Sequence, residues 1–215
     1  MSKVERRLQQ QFAHIRSIDP GAIIRPDNRY RYDVTSLGPG GTFRLDHHTY
    51  LVLGVGIYRE MDDQFKKTFE WTGHELKTVC LETGVGHHLE WEKDDEIEVS
   101  VTTREIRFSD LCYDDGEPIA RDSDDLDEIA EKKWEVVVQG KTYDYEDDYA
   151  AGYDPGGGSK RENVYFYDFE AGDGEQLSIE VWIPENGREE FKGFISRSVS
   201  PDDIEVIVAG TGHDG

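Results

Sequence analysis

The segment Thr83–Glu96, TGVGHHLEWEKDDE, sets two adjacent histidines among glutamates and further acids. Imidazole and carboxylate groups are the side chains that ligate divalent transition metals and move protons near neutral pH. If Leu89 and Trp91 face a core, two-residue alternation puts His88, Glu90 and Glu92 together on the opposite strand face. Alternate residues lie about 6.6–7 Å apart along a strand, so long side chains there can converge on one ion. His74, on the partner strand of the expected hairpin, and His87 are further candidates for a divalent metal. The candidate set is therefore His74, His87, His88 and Glu90, with His47 and His48 as two more whose position is open. HHLE lacks the i, i+4 histidines that HExxH sets on one helical face, so no zinc template is met. The plainer reading is a solvated strand face running into a turn.

Other constellations are weaker. Asp122, Asp124, Asp125, Asp127 and Glu128 crowd together, but no glycine at the sixth loop position and no glutamate at the twelfth complete a calcium loop. Asp144, Glu146, Asp147 and Asp148 form a second acidic run of the same kind. No G-x-S-x-G elbow is present, and the glycine runs at 38–41 and 156–158 lack the Lys-Ser/Thr end of a phosphate loop. Cys80 and Cys112 match no CxxC spacing and read as two buried, reduced thiols. Trp71, Trp91, Trp134 and Trp182 read as core or half-core residues rather than a ligand groove. No catalytic residue and no bound cofactor are expected from these patterns.

Composition narrows the partners. The 215 residues carry 47 acids against 24 Lys and Arg, a formal charge of −23. Duplex nucleic acid is held by cations that neutralise phosphate, so this balance argues against it, and anionic membrane surfaces are disfavoured likewise. A basic protein surface, a cation or a salty solvent suits the charge; acids spread along the whole chain resemble a halophile surface. The longest apolar run, TYLVLGVGIY, is too short to span a bilayer and contains two glycines, and MSKVERRLQQQF has no signal-like apolar region. A soluble, cytoplasmic protein is the expectation.

The elements that position these residues are mainly strands. Residues 3–16 place Val4, Leu8, Phe12 and Ile15 on one helical stripe, expected to dock on the body of the domain, and Asp19-Pro20-Gly21 stops the helix. From Thr42 onward the period becomes two: Thr49–Tyr58, Glu96–Val101, Trp134–Val138, Asn163–Phe169, Gln176–Ile183 and Ile204–Val208 read as strands, with Leu177, Ile179, Val181 and Ile183 inward. Residues 109–131 carry ten acids and a short helix capped by Ser123 or a neighbouring Asp, with Lys132 and Lys133 at its end. Tyr149–Ser159, containing DPGGGS, reads as a mobile loop.

The order of strands repeats. YLVLGVGIY, then HELKTVCLETGVGHHLEWE, then IRFSDL is echoed by WEVVVQGKTY, then VYFYDFEAGDGEQLSIEVW, then VSPDDIEVI. An internal duplication accounts for that order.

LGPGGTFRLDHHTYLVLGVGIYRE, Glu70-Trp71 with Glu75-Leu76, and Leu89-Glu90-Trp91-Glu92 resemble the opening half of the domain of unknown function 4178 family. VYFYDFEAGDGEQLSIEVWIPENGREEFKG resembles its later half, so the likeness spans roughly residues 36–208. Glu75, after His74, stands where the family usually has an aromatic before Leu76. The resemblance implies a small β-rich prokaryotic domain and transfers no catalytic residue or substrate.

The fold class expected is mainly β: two related small barrel- or sandwich-like halves of antiparallel strands, with an N-terminal helix and a short acidic connector helix. The boundaries are 1–35 for helix and connector, 36–112 for the first half, 113–132 for the acidic linker, 133–210 for the second half and 211–215 for a tail. The function expected is binding or assembly on a basic protein surface, without nucleic acid or membrane insertion. One alternative is a metal-dependent enzyme or metal sensor using the His/Glu cluster. A second is a small-ligand carrier with an aromatic-lined barrel.

Overall fold

The computed structural model describes residues 3–156, 159–184 and 187–210. In chain order the elements are α1 (Lys3–Ser17), β1 (Thr42–Leu45), β2 (His48–Met61), β3 (Thr68–Cys80), β4 (Gly86–Lys93), β5 (Ile97–Ile106), β6 (Leu111–Cys112), α2 (Ser123–Lys132), β7 (Val136–Val138), β8 (Lys141–Asp154), β9 (Glu162–Glu170), β10 (Glu175–Ile183), β11 (Glu190–Ser198) and β12 (Glu205–Val208). Short 3-10 turns lie between α1 and β1 and elsewhere. The hydrogen-bonded order is β12-β1-β2-β3-β4-β5-β11-β10-β9-β8-β7-β6, and β2 also pairs with β8. That extra pairing gives the topology of an eight-stranded antiparallel barrel with extra strands, so the chain is mainly β as its period-two pattern requires. The tail at 211–215, residues 157–158 of DPGGGS, residues 185–186 and the side chains of Val4 and Arg7 lie outside the described residues.

The described residues form two compact units built from interleaved segments: those within 3–56, 73–99 and 199–210, and those within 57–72 and 100–198. In the first, β1 pairs with β2 and β12, and Phe43 stacks on Tyr50 with ring centroids 5.1 Å apart. Leu76 and Leu89 are directly paired across β3 and β4 and both are fully buried. The apolar stripe of α1 behaves differently from expectation. Leu8, Phe12 and Ile15 stay about half exposed, while the more buried positions of this segment are Gln11, His14 and Ile18. Gln11 Nε2 donates to the main-chain oxygens of Leu81 and Glu82, both at 3.3 Å, so polar anchoring rather than apolar contact sets which face of α1 turns inward.

In the second unit, β8 to β11 form consecutive antiparallel ladders. Leu177 and Ile179 of β10 are fully buried and Val181 nearly so, as alternation requires, and Ile183 is half-buried. Helix α2 buries Leu126 and Ile129 completely, and Asp122 caps it by accepting from the Asp125 N–H at 3.0 Å. A second cluster gathers Tyr58, Tyr153, Phe166 and Trp182 with Trp71 and Tyr149. Tyr149–Asp154, expected as the start of a mobile loop, is instead the end of β8. Exposed Asp144, Glu146 and Asp147 mask its strand character, and a bulge between Tyr145 and Asp147 breaks the alternation. Trp134 is exposed ahead of β7, and Cys112 is half-buried where Cys80 is buried; both thiols are unbridged.

Candidate functional site

The turn between β3 and β4 uses Gly84 at φ 67°, and it sets the register that matters for chemistry. Leu76 pairs with Leu89 and His74 with Trp91, which sends one strand face into the apolar interior of the first unit. Alternation then gives the other face Glu75 opposite Glu90 and Lys77 opposite His88. On it, one donor atom each from Glu75, His88 and Glu90 lies within 4.8 Å of the other two.

Glu75 is the unusual member. Its side chain is 4% exposed, against 33% for His88 and 46% for Lys77. Oε1 lies 2.9 Å from Nδ1 of His88, and Oε2 lies 3.6 Å from Nζ of Lys77. A buried carboxylate costs several kcal/mol unless opposite charge or hydrogen bonds compensate it, and these two contacts contribute to that compensation. Two carboxylates and an imidazole also form a donor set that Mn2+, Fe2+ or Zn2+ accepts, leaving coordination positions open.

Of the four residues singled out from the sequence, His88 and Glu90 come together. His74 stacks on Trp91 on the opposite face, with centroids 3.8 Å apart and planes within 1°. His87 pairs with Thr78 and packs edge-on to Tyr50 at 5.7 Å. Glu75 was not among the four. The signal for it is the register itself, since aligning Leu76 with Leu89 places Glu75 directly opposite Glu90.

Four of the acids considered for calcium, Asp122, Asp125, Asp127 and Asp148, serve tyrosines and main-chain amides. Asp125 accepts from Ala120 N at 2.9 Å and from Tyr113 Oη at 3.2 Å. Asp127 accepts from Tyr167 Oη, and Asp148 from the hydroxyls of Tyr145 and Tyr165. Burial and then these hydrogen bonds to carboxylates push the three phenols, Tyr145, Tyr165 and Tyr167, above their ordinary range. In the second unit a cleft of about 300 Å³ is lined by Lys160, Arg161, Trp182, Glu190 and Lys192 among others, with the Lys192 ammonium 4.1 Å above the Trp182 ring.

No helix among the described residues is long and apolar enough to cross a membrane. No curated protein and no solved structure matches the chain. Residues 38–201 match the model of a family described as Domain of unknown function (DUF4178), and with well over half of its length so covered, the chain belongs to that family.

Proposed function

We propose that the protein is a metal-responsive binding protein that takes a divalent ion on Glu75, His88 and Glu90. The observation that supports this reading is the burial of Glu75 against His88. The Lys77 and His88 side chains that contact Glu75 are partly exposed and exchangeable, and a dication brings more charge to the same two carboxylates. Three protein ligands leave open positions for water or for a donor from a partner. The strongly acidic chain favours a partner with a basic surface. Calorimetric titration of chelator-stripped, untagged protein with Mn2+ tests the reading. Wild type is expected to bind one equivalent, with affinity lower by at least about tenfold in Glu75→Gln and His88→Ala. Equal binding by those folded variants overturns it.

A second reading, assembly without a metal, draws on the exposed stripe of Leu8, Phe12 and Ile15. A partner captured from native lysate at physiological salt by wild type and lost with Phe12→Ser supports it. Equal capture by both proteins, or none by either, removes it.

A further inference from the structure

The first unit holds a second donor set of different chemistry. β1 and β2 are joined by Asp46 and His47, both at positive φ (49° and 65°), the two-residue geometry whose twist suits a hairpin. That turn fixes His48 opposite Leu45. Thr49 then ties the start of β2 to the segment after β3. Its N–H donates to both carboxylate oxygens of Glu82, at 3.0 Å each, and its carbonyl accepts from the Leu81 N–H at 2.8 Å. His48 and Glu82 are thereby brought to Cys80, the last residue of β3 and 2% exposed. One donor atom of each lies within 4.8 Å of the other two, and the Cys80 thiol donates to Oε2 of Glu82 at 3.4 Å.

We propose that His48, Cys80 and Glu82 form a thiolate-containing site for a borderline or soft divalent ion, with Zn2+ and Cd2+ as the probes. Tetrahedral bonds of about 2.0–2.3 Å put donor atoms roughly 3.3–3.8 Å apart, so side-chain rotations of about an ångström close the set. Coordination expels the thiol proton to solvent, and thiolate, carboxylate and neutral imidazole together balance a dication. The buried sulfur lies with an exposed imidazole and an exposed carboxylate, so an ion reaches it from solvent and keeps an open position. The main-chain N–H of Thr49 orients Glu82 while spare lone pairs on its oxygens stay available. A sulfur donor favours softer ions than the oxygen-rich set around Glu75 does. The two sites therefore differ in metal preference as well as in place.

Cadmium titration followed by thiolate-to-metal charge-transfer absorption in the ultraviolet tests the assignment on the full chain. Wild type, Cys112→Ser and Glu75→Gln are expected to reach the same amplitude at one equivalent. Cys80→Ser should abolish the band, and His48→Ala, at an exposed position, should weaken binding by at least about tenfold. Metal-free melting confirms that each variant folds, and His48→Ala carries the test if Cys80→Ser does not. No band in wild type, a band surviving Cys80→Ser, or a His48→Ala titration like wild type overturns the proposal. Because Glu75→Gln is expected to titrate normally, failure of the Glu75 site leaves this one standing.

Discussion

Nδ1 of His88 lies 2.9 Å from Oε1 of Glu75, although the ladder sets His88 opposite Lys77 and Glu75 opposite Glu90. The contact is diagonal, and long side chains on one face of an antiparallel pair can bridge that offset. Its consequence for the metal-free protein is asymmetric. His88→Ala removes a partner and leaves a buried carboxylate leaning on Lys77, which is expected to cost about 1–3 kcal/mol. Glu75→Gln removes the buried charge with little change of shape and is expected to cost less. Urea unfolding in chelator checks this, and a larger loss for Glu75→Gln contradicts it.

Asp168 of β9 stands opposite Asp147 of β8, with its Oδ1 closed off from solvent. Burial foremost, with the Asp147 charge, pushes its pKa up to about 6, against hydrogen bonds from Ser178 and Tyr149. Between its unfolded value near 3.8 and about 6, the native state holds a proton that the unfolded chain releases. Its contribution to stability therefore falls as pH rises through that window and is flat above it. Asp168→Asn is expected to gain on wild type by on the order of 1–3 kcal/mol between pH 4 and 7.5. Parallel urea midpoints for the two proteins across that range contradict the assignment.

The two helices bury their apolar residues to different degrees. Leu126 of α2 is fully buried, so Leu126→Ala is expected to cost about 2–5 kcal/mol. Phe12 of α1 is 56% exposed, and Phe12→Ser should stay within about 0.5 kcal/mol of wild type. A large loss from Phe12→Ser would mean that the apolar stripe of α1, and not Gln11, carries its docking.

The net charge of −23 predicts self-repulsion that salt screens. The melting temperature is expected to rise as potassium chloride is raised from low concentration to the molar range. A flat response contradicts the halophile-like reading of the surface.

Much of the fold is legible where one face of an element is uniformly apolar. Leu177, Ile179 and Val181 mark β10, and Asp122 with Leu126 and Ile129 marks α2, because burial and capping leave local traces. β8 is obscured because it carries as many acids as buried residues, five of each, and its bulge shifts the phase midway. The pairing of β2 with β8 joins residues such as Tyr58 and Tyr153, and no short-range pattern encodes a partner so distant. For the candidate site, alternation around Leu89 and Trp91 sets His88 and Glu90, both half-buried, on the opposite strand face. Glu75 needs the register of the hairpin, and His74 is diverted by its stack on Trp91.

Anomalous diffraction from crystals of the untagged protein soaked in Mn2+ measures metal placement most directly. One strong peak is expected about 2.0–2.2 Å from a ring nitrogen of His88 and from carboxylate oxygens of Glu75 and Glu90, with Lys77 displaced from Oε2. A peak elsewhere, or none while His88 and Glu75 remain paired, would contradict it.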